Sequence, residues 1–189
     1  MIAHPTTDAA AAPPLPRLCA PWSVRAASSD VDLELIHRWM IQPHVEKFWH
    51  QAWPPERWRS ELDTQLAGTH SLPCVVAHDG VDLAYVEIYR VQRDRLADFV
   101  PHEPHDLGVH IAIGDRDRTG RGLGRALLSA LAEGLLTADS ACQRVVAEPD
   151  KGNAPSIRAF QIAGFAVGPD VALPDKTAVL MTYERRRPR

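Results

Sequence analysis

Two strand-like segments end in side chains that could exchange a proton with a substrate. In LGVHIAI the large aliphatic side chains alternate with small ones, and His110 shares the strand face of the small residues. In RVVAEPD the strand ends at Glu148, because Pro149 cannot donate a backbone hydrogen bond. Adjacent parallel strands would bring His110 and Glu148 together, and an imidazole beside a carboxylate is suited to general acid–base chemistry. Asp150 is the competing carboxylate, although its position beyond the proline also suits a cap for the next helix.

A glycine-rich turn, TGRGLG, follows the His110 strand and opens directly into an amphipathic helix. The first turn of a helix leaves backbone N–H groups free, and glycines allow a phosphate to approach them closely. The Gly-Lys-Ser/Thr of a P-loop is absent, and the third glycine of a dinucleotide-binding fingerprint is misplaced. The turn therefore predicts an anion site built mainly from backbone N–H groups. A glycine turn that only caps a surface helix is the competing interpretation.

The segment NAPSIRAFQIAGF adds a second motif, formed by Asn153, Ser156, Phe160, Gly164 and Phe165. Together with the glycine turn, this motif resembles the GNAT acyltransferase superfamily. The resemblance implies that the turn binds the pyrophosphate of coenzyme A and that the later helix flanks the pantetheine arm. The cofactor-binding residues that it implies are Ile111, Ile113, Arg118, Thr119, Gly120, Arg121, Gly122, Leu123, Gly124, Arg125, Asn153, Ser156 and Phe160.

Two positions depart from the superfamily pattern. Thr119 stands where the loop usually has Gln or Arg, although neighbouring arginines keep positive charge nearby. Phe160 stands where many members have a tyrosine that protonates the departing thiolate, and a phenyl ring has no proton to donate. Water, Ser156 or Tyr183 could supply the proton instead, or the thiolate could leave unprotonated.

The predicted elements follow the order strand, two helices, three strands, helix, strand, helix and two strands. The resemblance implies the corresponding fold class, an α/β (α+β mixed-sheet) single domain of GNAT type. In that fold a mostly antiparallel sheet contains a central parallel pair and is flanked by helices. We expect a disordered N-terminal lead-in over 1–20, the acyltransferase domain over 21–185 and a basic tail over 186–189.

The segment YVEIY predicts part of an acceptor site. Alternation along a strand places Tyr85, Glu87 and Tyr89 on one face, and a carboxylate between two aromatic rings suits a cationic amine. A solvent-exposed strand face is the competing interpretation. Acyl transfer also needs N–H donors for the oxyanion, which we assign to the backbone near Ile111 and Ala112. The predicted substrate-binding residues are His110, Glu87, Tyr89 and Trp49.

Five longer segments, WMIQPHVEKFW, SLPCVVAHDG, YVEIYR, DLGVHIAIGD and LPDKTAVLM, together resemble the siderophore-biosynthesis branch of the superfamily. That branch includes mycobactin-type lysine N-acyltransferases and aerobactin-type N6-hydroxylysine acetyltransferases. The resemblance implies that His110 contacts the acceptor, that Glu148 accepts its proton, and that a lysine side-chain amine or an N-hydroxylated amine is acylated. The implied donor is acetyl-CoA, a longer acyl-CoA or an acyl carrier protein. A siderophore synthetase is a further implied partner.

Three other functions remain open at this point. An aminoglycoside N-acetyltransferase would be expected to have an acidic acceptor groove, and a protein N-acetyltransferase an open peptide cleft. A non-catalytic acyl-CoA sensor would suit the departures at Thr119 and Phe160.

Composition limits the partners and the compartment. The 189 residues carry a formal net charge of −3 with dispersed arginines, which argues against nucleic-acid binding. Three widely separated cysteines argue against a disulfide framework or a structural zinc site and favour a reducing cytoplasm. The sequence has no stretch that predicts a membrane span and no pattern of a signal peptide. His102 and His105 have a spacing that metal ligands use, but without further ligands we predict no metal.

Overall fold

A seven-stranded mixed sheet forms the frame of the molecule, for which the computed structural model describes residues 10–186. Residues 1–9 and 187–189, which fall in the predicted lead-in and tail, lie outside the described residues. The strands are β1 (Trp22–Ala26), β2 (Ser71–His78), β3 (Val81–Arg90), β4 (Leu107–Ile113), β5 (Arg144–Ala147), β6 (Ala166–Ala172) and β7 (Thr177–Glu184). The helices are α1 (Leu33–Met40), α2 (Pro43–Trp49), α3 (Pro55–Ala67), α4 (Leu123–Ala138) and α5 (Ala154–Ile162).

The spatial order of the strands is β1-β2-β3-β4-β5-β7-β6. β4 and β5 run parallel, and the other neighbouring strands pair antiparallel. This topology, with helices on both faces, confirms the predicted fold class and its central parallel pair.

The segment between β1 and β2 contains three helices where the sequence pattern predicts two. The additional helix is α2, which Pro43 opens at its first position and which His50 ends in a left-handed conformation, with φ of +54°. Its seven residues are too few to display a helical period in the sequence. Within residues 10–186, no helix combines the length and the apolar character that crossing a membrane requires.

The two faces of the sheet pack against different helices, and a third buried cluster surrounds Tyr89, Val146 and Ala178. α4 and α5 cover one face, where Val109, Leu131 and Phe160 are buried together. α1, α2 and α3 cover the other face, where Trp58 and Ala112 are buried. Because successive residues of β4 alternate between these faces, the His110 side chain points to the α1–α3 side, as the alternation in LGVHIAI predicts.

The parallel pairing between β4 and β5 is short. It joins Leu107 to Val145 and Gly108 to Val146, and β4 then continues to Ile113 paired with β3 but not with β5. Beyond Gly108, the backbone groups of β4 that point towards β5 have no strand partner within the described sheet. The two strands therefore separate near the level of His110, which leaves an open edge beside that side chain.

The described part of the predicted lead-in packs against the domain. Ala10 is 2% exposed, and the Ala11 carbonyl accepts a hydrogen bond from Nε of the buried Arg90 at 2.8 Å. The expected disorder therefore does not extend to residues 10–20, because side chains of the sheet bind the backbone of this segment. Composition alone could not reveal such a partner, since Arg90 lies far away in the sequence.

Gly134 on α4 is the point where this N-terminal segment crosses the helix. The Arg17 N–H donates to the Gly134 carbonyl at 3.1 Å, and a Cβ at Gly134 would lie 2.8 Å from the Arg17 carbonyl oxygen. We expect Gly134→Val to lower the free energy of unfolding by about 1–3 kcal/mol, because the steric overlap outweighs the gain in helix propensity. Urea unfolding followed by circular dichroism measures the change. Thr137→Val on the exposed side of α4 is the control, and a Gly134→Val protein as stable as this control would contradict the docking.

Candidate active site

Three ionisable side chains form a continuous chain from β3 to the residue after β5. Glu87 lies directly opposite His110 in the β3–β4 register, and His110 Nδ1 lies 3.1 Å from Glu87 Oε2. On the other side of the ring, His110 Nε2 lies 2.5 Å from Glu148 Oε1. Both ring nitrogens therefore face a carboxylate, an arrangement that suits an imidazolium with two donors. The structure thus brings together His110 and Glu148, the two residues that the sequence selects for proton chemistry.

The charge states of Glu87, His110 and Glu148 follow from their contacts with one another. Burial by itself would lower the pKa of His110, but the charges and hydrogen bonds of Glu148 and Glu87 raise it to about 10. Burial would raise the pKa of Glu148, but the charge and hydrogen bond of His110 lower it to about 2. Burial likewise opposes the shift of Glu87, whose pKa is lowered by His110, Gln65 and Tyr85. Near neutral pH the three side chains therefore carry one net negative charge.

Tyr89 holds the second oxygen of Glu148. Its hydroxyl donates to Glu148 Oε2 at 2.5 Å, and its ring centroid lies 4.7 Å from that of His110. Gly108 lies opposite Tyr89 on β4, and a Cβ there would come within 2.0 Å of the Tyr89 Cζ. The absence of a side chain at Gly108 is therefore what allows the Tyr89 ring to lie against β4 and reach Glu148.

The YVEIY strand face is buried, so its interpretation as a solvent-exposed face is wrong. Tyr85 is 0% exposed and Tyr89 is 2% exposed. Glu87 Oε1 accepts hydrogen bonds from the Tyr85 hydroxyl at 2.9 Å and from Gln65 Nε2 at 3.0 Å. The Trp49 ring contributes an edge contact to His110, with 6.1 Å between the ring centroids. Both oxygens of Glu87 thus have partners within the protein, and this arrangement suits a role in orienting His110.

A cleft of about 320 Å³ opens above the Glu87, His110 and Glu148 side chains. It lies between β4, the end of β5 and the helices α2 and α5. The cleft brings most of the residues predicted to bind the amine substrate together with some of those predicted to bind coenzyme A. Its lining includes Trp49, Glu87, His110, Ile111, Glu148, Asp150, Asn153, Ser156 and Phe160, together with Arg95, Asp175 and Lys176. The glycine turn is not part of this lining, so the cleft itself corresponds to the reacting end of the predicted site.

The turn that follows β5 is organised by two side chains with different tasks. Asp150 Oδ1 accepts from the Gly152 N–H at 2.7 Å, which stabilises the turn. Asn153 is the N-cap of α5, and its Oδ1 accepts from the Ser156 N–H at 3.2 Å. The cap that the sequence allowed for Asp150 is therefore supplied by Asn153, while Asp150 remains at the edge of the cleft.

The candidates for protonating a departing thiolate differ in location. The Tyr183 hydroxyl donates to Glu133 Oε1 at 3.1 Å, and Tyr183 is absent from the described cleft lining. Ser156 lines the cleft one helical turn before Phe160, and it shares the lining with that ring. Of the two side-chain alternatives, Ser156 is therefore the one placed at the cleft.

The glycine turn adopts the backbone conformation that an anion site requires. Gly120 and Gly122 have φ of +71° and +82°, and Gly122 is the N-cap of α4, which begins at Leu123. The N–H groups in the first turn of α4 have no acceptor within the helix. The Thr119 hydroxyl donates to the Arg116 carbonyl at 2.7 Å, so this side chain is used inside the turn. Thr119 in place of the usual Gln or Arg therefore leaves the backbone N–H groups at the start of α4 free.

The arginines of the turn have different surroundings. Arg118 Nη1 donates to the Asp82 carbonyl at 3.2 Å, which ties it to the start of β3. Arg125 lies close to Gly122, where an added Cβ would come within 3.2 Å of its Nε. Arg121 is exposed. Arg121 and Arg125 are thus the side chains that can place positive charge beside a phosphate here.

One of the two predicted oxyanion donors is turned away from the open edge. The Gly114 N–H donates to the Leu83 carbonyl on β3, and backbone N–H groups alternate in direction along a strand. The Ala112 N–H therefore also points to β3, which excludes it as an oxyanion donor. The N–H groups of Ile111 and Ile113 point to the open edge, and Ile111 also lines the cleft.

Sequence reasoning missed Gln65 and Lys176. Gln65 is 4% exposed and follows Trp58 and Leu62 on the buried stripe of α3, so a polar residue within an apolar helical stripe was the available signal. Lys176 lies in the turn between β6 and β7 and lines the cleft. A cation in a turn resembles a solvated side chain, so no local pattern distinguishes it.

The two histidines with the spacing of metal ligands have other partners. His102 Nδ1 lies 3.2 Å from the Val100 carbonyl, and His105 Nδ1 lies 3.1 Å from Asp139 Oδ2. In the part of the chain that the structure describes, no group of three or more His, Cys, Asp or Glu side chains could hold a metal ion.

Known proteins resemble this chain in both sequence and structure. The family model for the acetyltransferase (GNAT) domain matches residues 28–173. Lysine N-acyltransferase MbtK of Mycobacterium sp. (strain MCS) is 39% identical over 153 residues, which cover 81% of this chain and 63% of that protein. N-hydroxyputrescine acetyltransferase of Acinetobacter baumannii is 34% identical over 158 residues, which cover 82% of this chain and 74% of that one. The crystal structure of an uncharacterised Bacillus halodurans protein has a TM-score of 0.81 and 35% identity, over 86% of this chain and 83% of that one.

The charge of His110 can be tested by its titration. Because both carboxylates stabilise the imidazolium and raise the pKa to about 10, we expect the His110 ring signals to stay those of the cation from pH 5.5 to 8.5 in NMR spectra. Glu148→Gln should move the midpoint of the titration to lower pH. A raised pKa stabilises the fold fully below about pH 6.5, the unfolded value, and this contribution is lost as the pH rises towards 10. A His110 midpoint near 6.5 in the parent protein would refute the paired arrangement.

Proposed function

The chain belongs to the GNAT acetyltransferase family, and from that premise we propose that it transfers an acyl group from acyl-CoA to the side-chain amine of lysine or N6-hydroxylysine. The N-acyl product would serve a hydroxamate siderophore. The observation that carries this proposal is the Glu87–His110–Glu148 chain at the open edge between β4 and β5. It combines proton-accepting groups, one net negative charge and a cleft beside the α5 motif.

The donor side has the features that a coenzyme A thioester requires. The left-handed glycines and the free N–H groups at the start of α4 suit a pyrophosphate, and Arg121 and Arg125 add positive charge. When bound, the thioester supplies the electrophilic carbonyl carbon and a thiolate leaving group. The Ile111 N–H at the open edge is placed to donate to the oxyanion that forms there. The Ser156 hydroxyl, or water, is available to protonate the sulfur.

The proton of the amine sets the choice between the two acceptors. A lysine amine has an ordinary pKa of about 10.4 and arrives as an ammonium ion, which the net negative charge of the site attracts. Glu148 has a pKa of about 2 and is too weak a base to neutralise that ion before attack. Once the nitrogen has bonded to the carbonyl carbon, its proton becomes far more acidic, and Glu148 can accept it. An N6-hydroxylated amine is largely neutral near pH 7, so no proton has to be removed from it before it attacks.

Two of the competing functions fit the cleft poorly. Its volume of about 320 Å³ is at the lower end of small-molecule sites and suits an acceptor of amino-acid size. An aminoglycoside carries several ammonium groups, and Lys176 in the lining would repel those that lie beside it. Trp49 and α2 cover one side of the cleft, where an open groove would be needed for a peptide.

A panel of acceptors and donors tests the proposal. Lysine, N6-hydroxylysine and kanamycin should be assayed against acetyl-CoA, a long-chain acyl-CoA and an acyl carrier protein, with release of the free thiol as the readout. We expect N6-hydroxylysine to have the higher kcat/KM at pH 7 and lysine to approach it as the pH rises towards 9, because the neutral fraction of lysine increases. If acyl-CoA binds but no acceptor is acylated, the enzyme proposal fails and the sensor function takes its place.

Substitution of Glu148 tests its role as proton acceptor. Glu148→Gln keeps the shape but removes the base, so we expect kcat for lysine to fall by about 10²- to 10⁴-fold and the affinity for acyl-CoA to stay the same. The loss should be smaller for N6-hydroxylysine. Glu56→Gln, at an exposed carboxylate on α3, is the matched control. Undiminished turnover in Glu148→Gln would move the proton acceptor to another group.

A further inference from the structure

Lys176 lines the cleft together with the basic side chains of His50, Arg95 and His110. His110 pairs with Glu87 and Glu148, and the Arg95 guanidinium pairs with both oxygens of Asp175, at 2.8 and 3.0 Å. In contrast, within residues 10–186 the Lys176 ammonium has no carboxylate within ion-pair distance and donates no hydrogen bond. Its charge is therefore available to a ligand in the cleft.

The turn that carries Lys176 is held firmly against the end of β5. The Lys176 carbonyl accepts from the Leu173 N–H at 2.9 Å, which closes the β6–β7 turn. The next residue, Thr177, accepts from the Lys151 N–H at 2.8 Å, and the Val179 N–H donates to the Pro149 carbonyl at 2.9 Å. These bonds join the turn to the segment that directly follows Glu148. These bonds set the position of the Lys176 backbone relative to Glu148.

The cleft consequently has two regions of opposite charge. The Glu87–His110–Glu148 group carries one net negative charge, and the Arg95–Asp175 pair is neutral. The same lining contains the Asp150 carboxylate and the Lys176 ammonium, which is not ion-paired within residues 10–186. The charge of Lys176 acts on Glu148: burial raises the pKa of this carboxyl, and Lys176 lowers it, after the larger effect of His110. A ligand that matches this pattern has an amine at one end and an anionic group at the other.

We infer that Lys176 binds the α-carboxylate of the acceptor and so selects amino acids over plain diamines. This inference rests on the proposed function, because it assumes that the amine end of the acceptor lies at Glu148. An amino acid with a side-chain amine satisfies both charged regions at once. A diamine of the same length would place a second ammonium group beside Lys176 and would be repelled.

The test compares lysine with 1,5-diaminopentane, which is lysine without its carboxylate, in the parent protein and in Lys176→Gln. We expect the parent to prefer lysine, and Lys176→Gln to lose kcat/KM for lysine by on the order of 10- to 100-fold, mostly through KM. The kcat/KM for the diamine should be unchanged or higher. Lys176→Arg should recover a large part of the lysine activity. Lys151→Gln is the matched control, since Lys151 lies nearby but pairs with Asp170 and is outside the cleft lining.

Each outcome separates this inference from its alternatives. Equal losses for lysine and the diamine would show that Lys176 acts through Glu148, and a raised KM for acyl-CoA would assign it to the donor; both results overturn the inference. A parent protein that acylates the diamine as well as lysine overturns it too, while the proposed function stands. If the parent protein acylates none of the three amines, lysine, 1,5-diaminopentane and N6-hydroxylysine, the proposed function itself fails. Unchanged unfolding curves for Lys176→Gln ensure that lost activity reflects binding.

Discussion

The candidate site depends on keeping three ionisable side chains paired on a largely buried strand face. Removing carboxylates and an imidazolium from water is costly, and a protein tolerates it only when the charged atoms have partners. Here the partners come from three strands: Glu87 and Tyr89 from β3, His110 from β4, and Glu148 from the end of β5. A one-residue shift between β3 and β4 would turn Glu87 and His110 to opposite faces. The charge pattern of the site is therefore also a constraint on the register of the sheet.

β4 is the element in which the other requirements meet. One of its faces supplies Val109 to the core beneath α4 and α5, and the other presents His110 to the cleft. Its open edge offers the Ile111 N–H, and the chain then leads from its end into the glycine turn. The early separation from β5 is essential, because full pairing would use the N–H groups of that edge and close the cleft. One strand thus connects the proposed acceptor side with the proposed donor side.

The electrostatics of the cleft distinguish attraction from proton transfer. The net negative charge favours a cationic amine, yet the same ion pairing that makes the cluster stable leaves Glu148 a weak base, with a pKa of about 2. Stability and basicity therefore oppose each other at this carboxylate. The conflict is relieved when the proton to be removed belongs to a reacted or already neutral nitrogen. Lys176 places a positive charge in the same cleft, and under the proposed assignment this charge orients the acceptor.

The sequence by itself determined which groups are present and which elements carry them. Alternation in one strand and the stop at a proline were enough to select His110 and Glu148, and the glycine turn and the α5 motif predict the donor side, because such patterns are local. Only the tertiary structure decided the partners: the enclosure of Glu87, the diversion of Tyr183 to Glu133, and the docking of residues 10–20. The reason is physical, since the bonded pairs of the central cluster lie 23, 38 and 59 residues apart, and strand register and packing, not neighbouring sequence, bring them into contact.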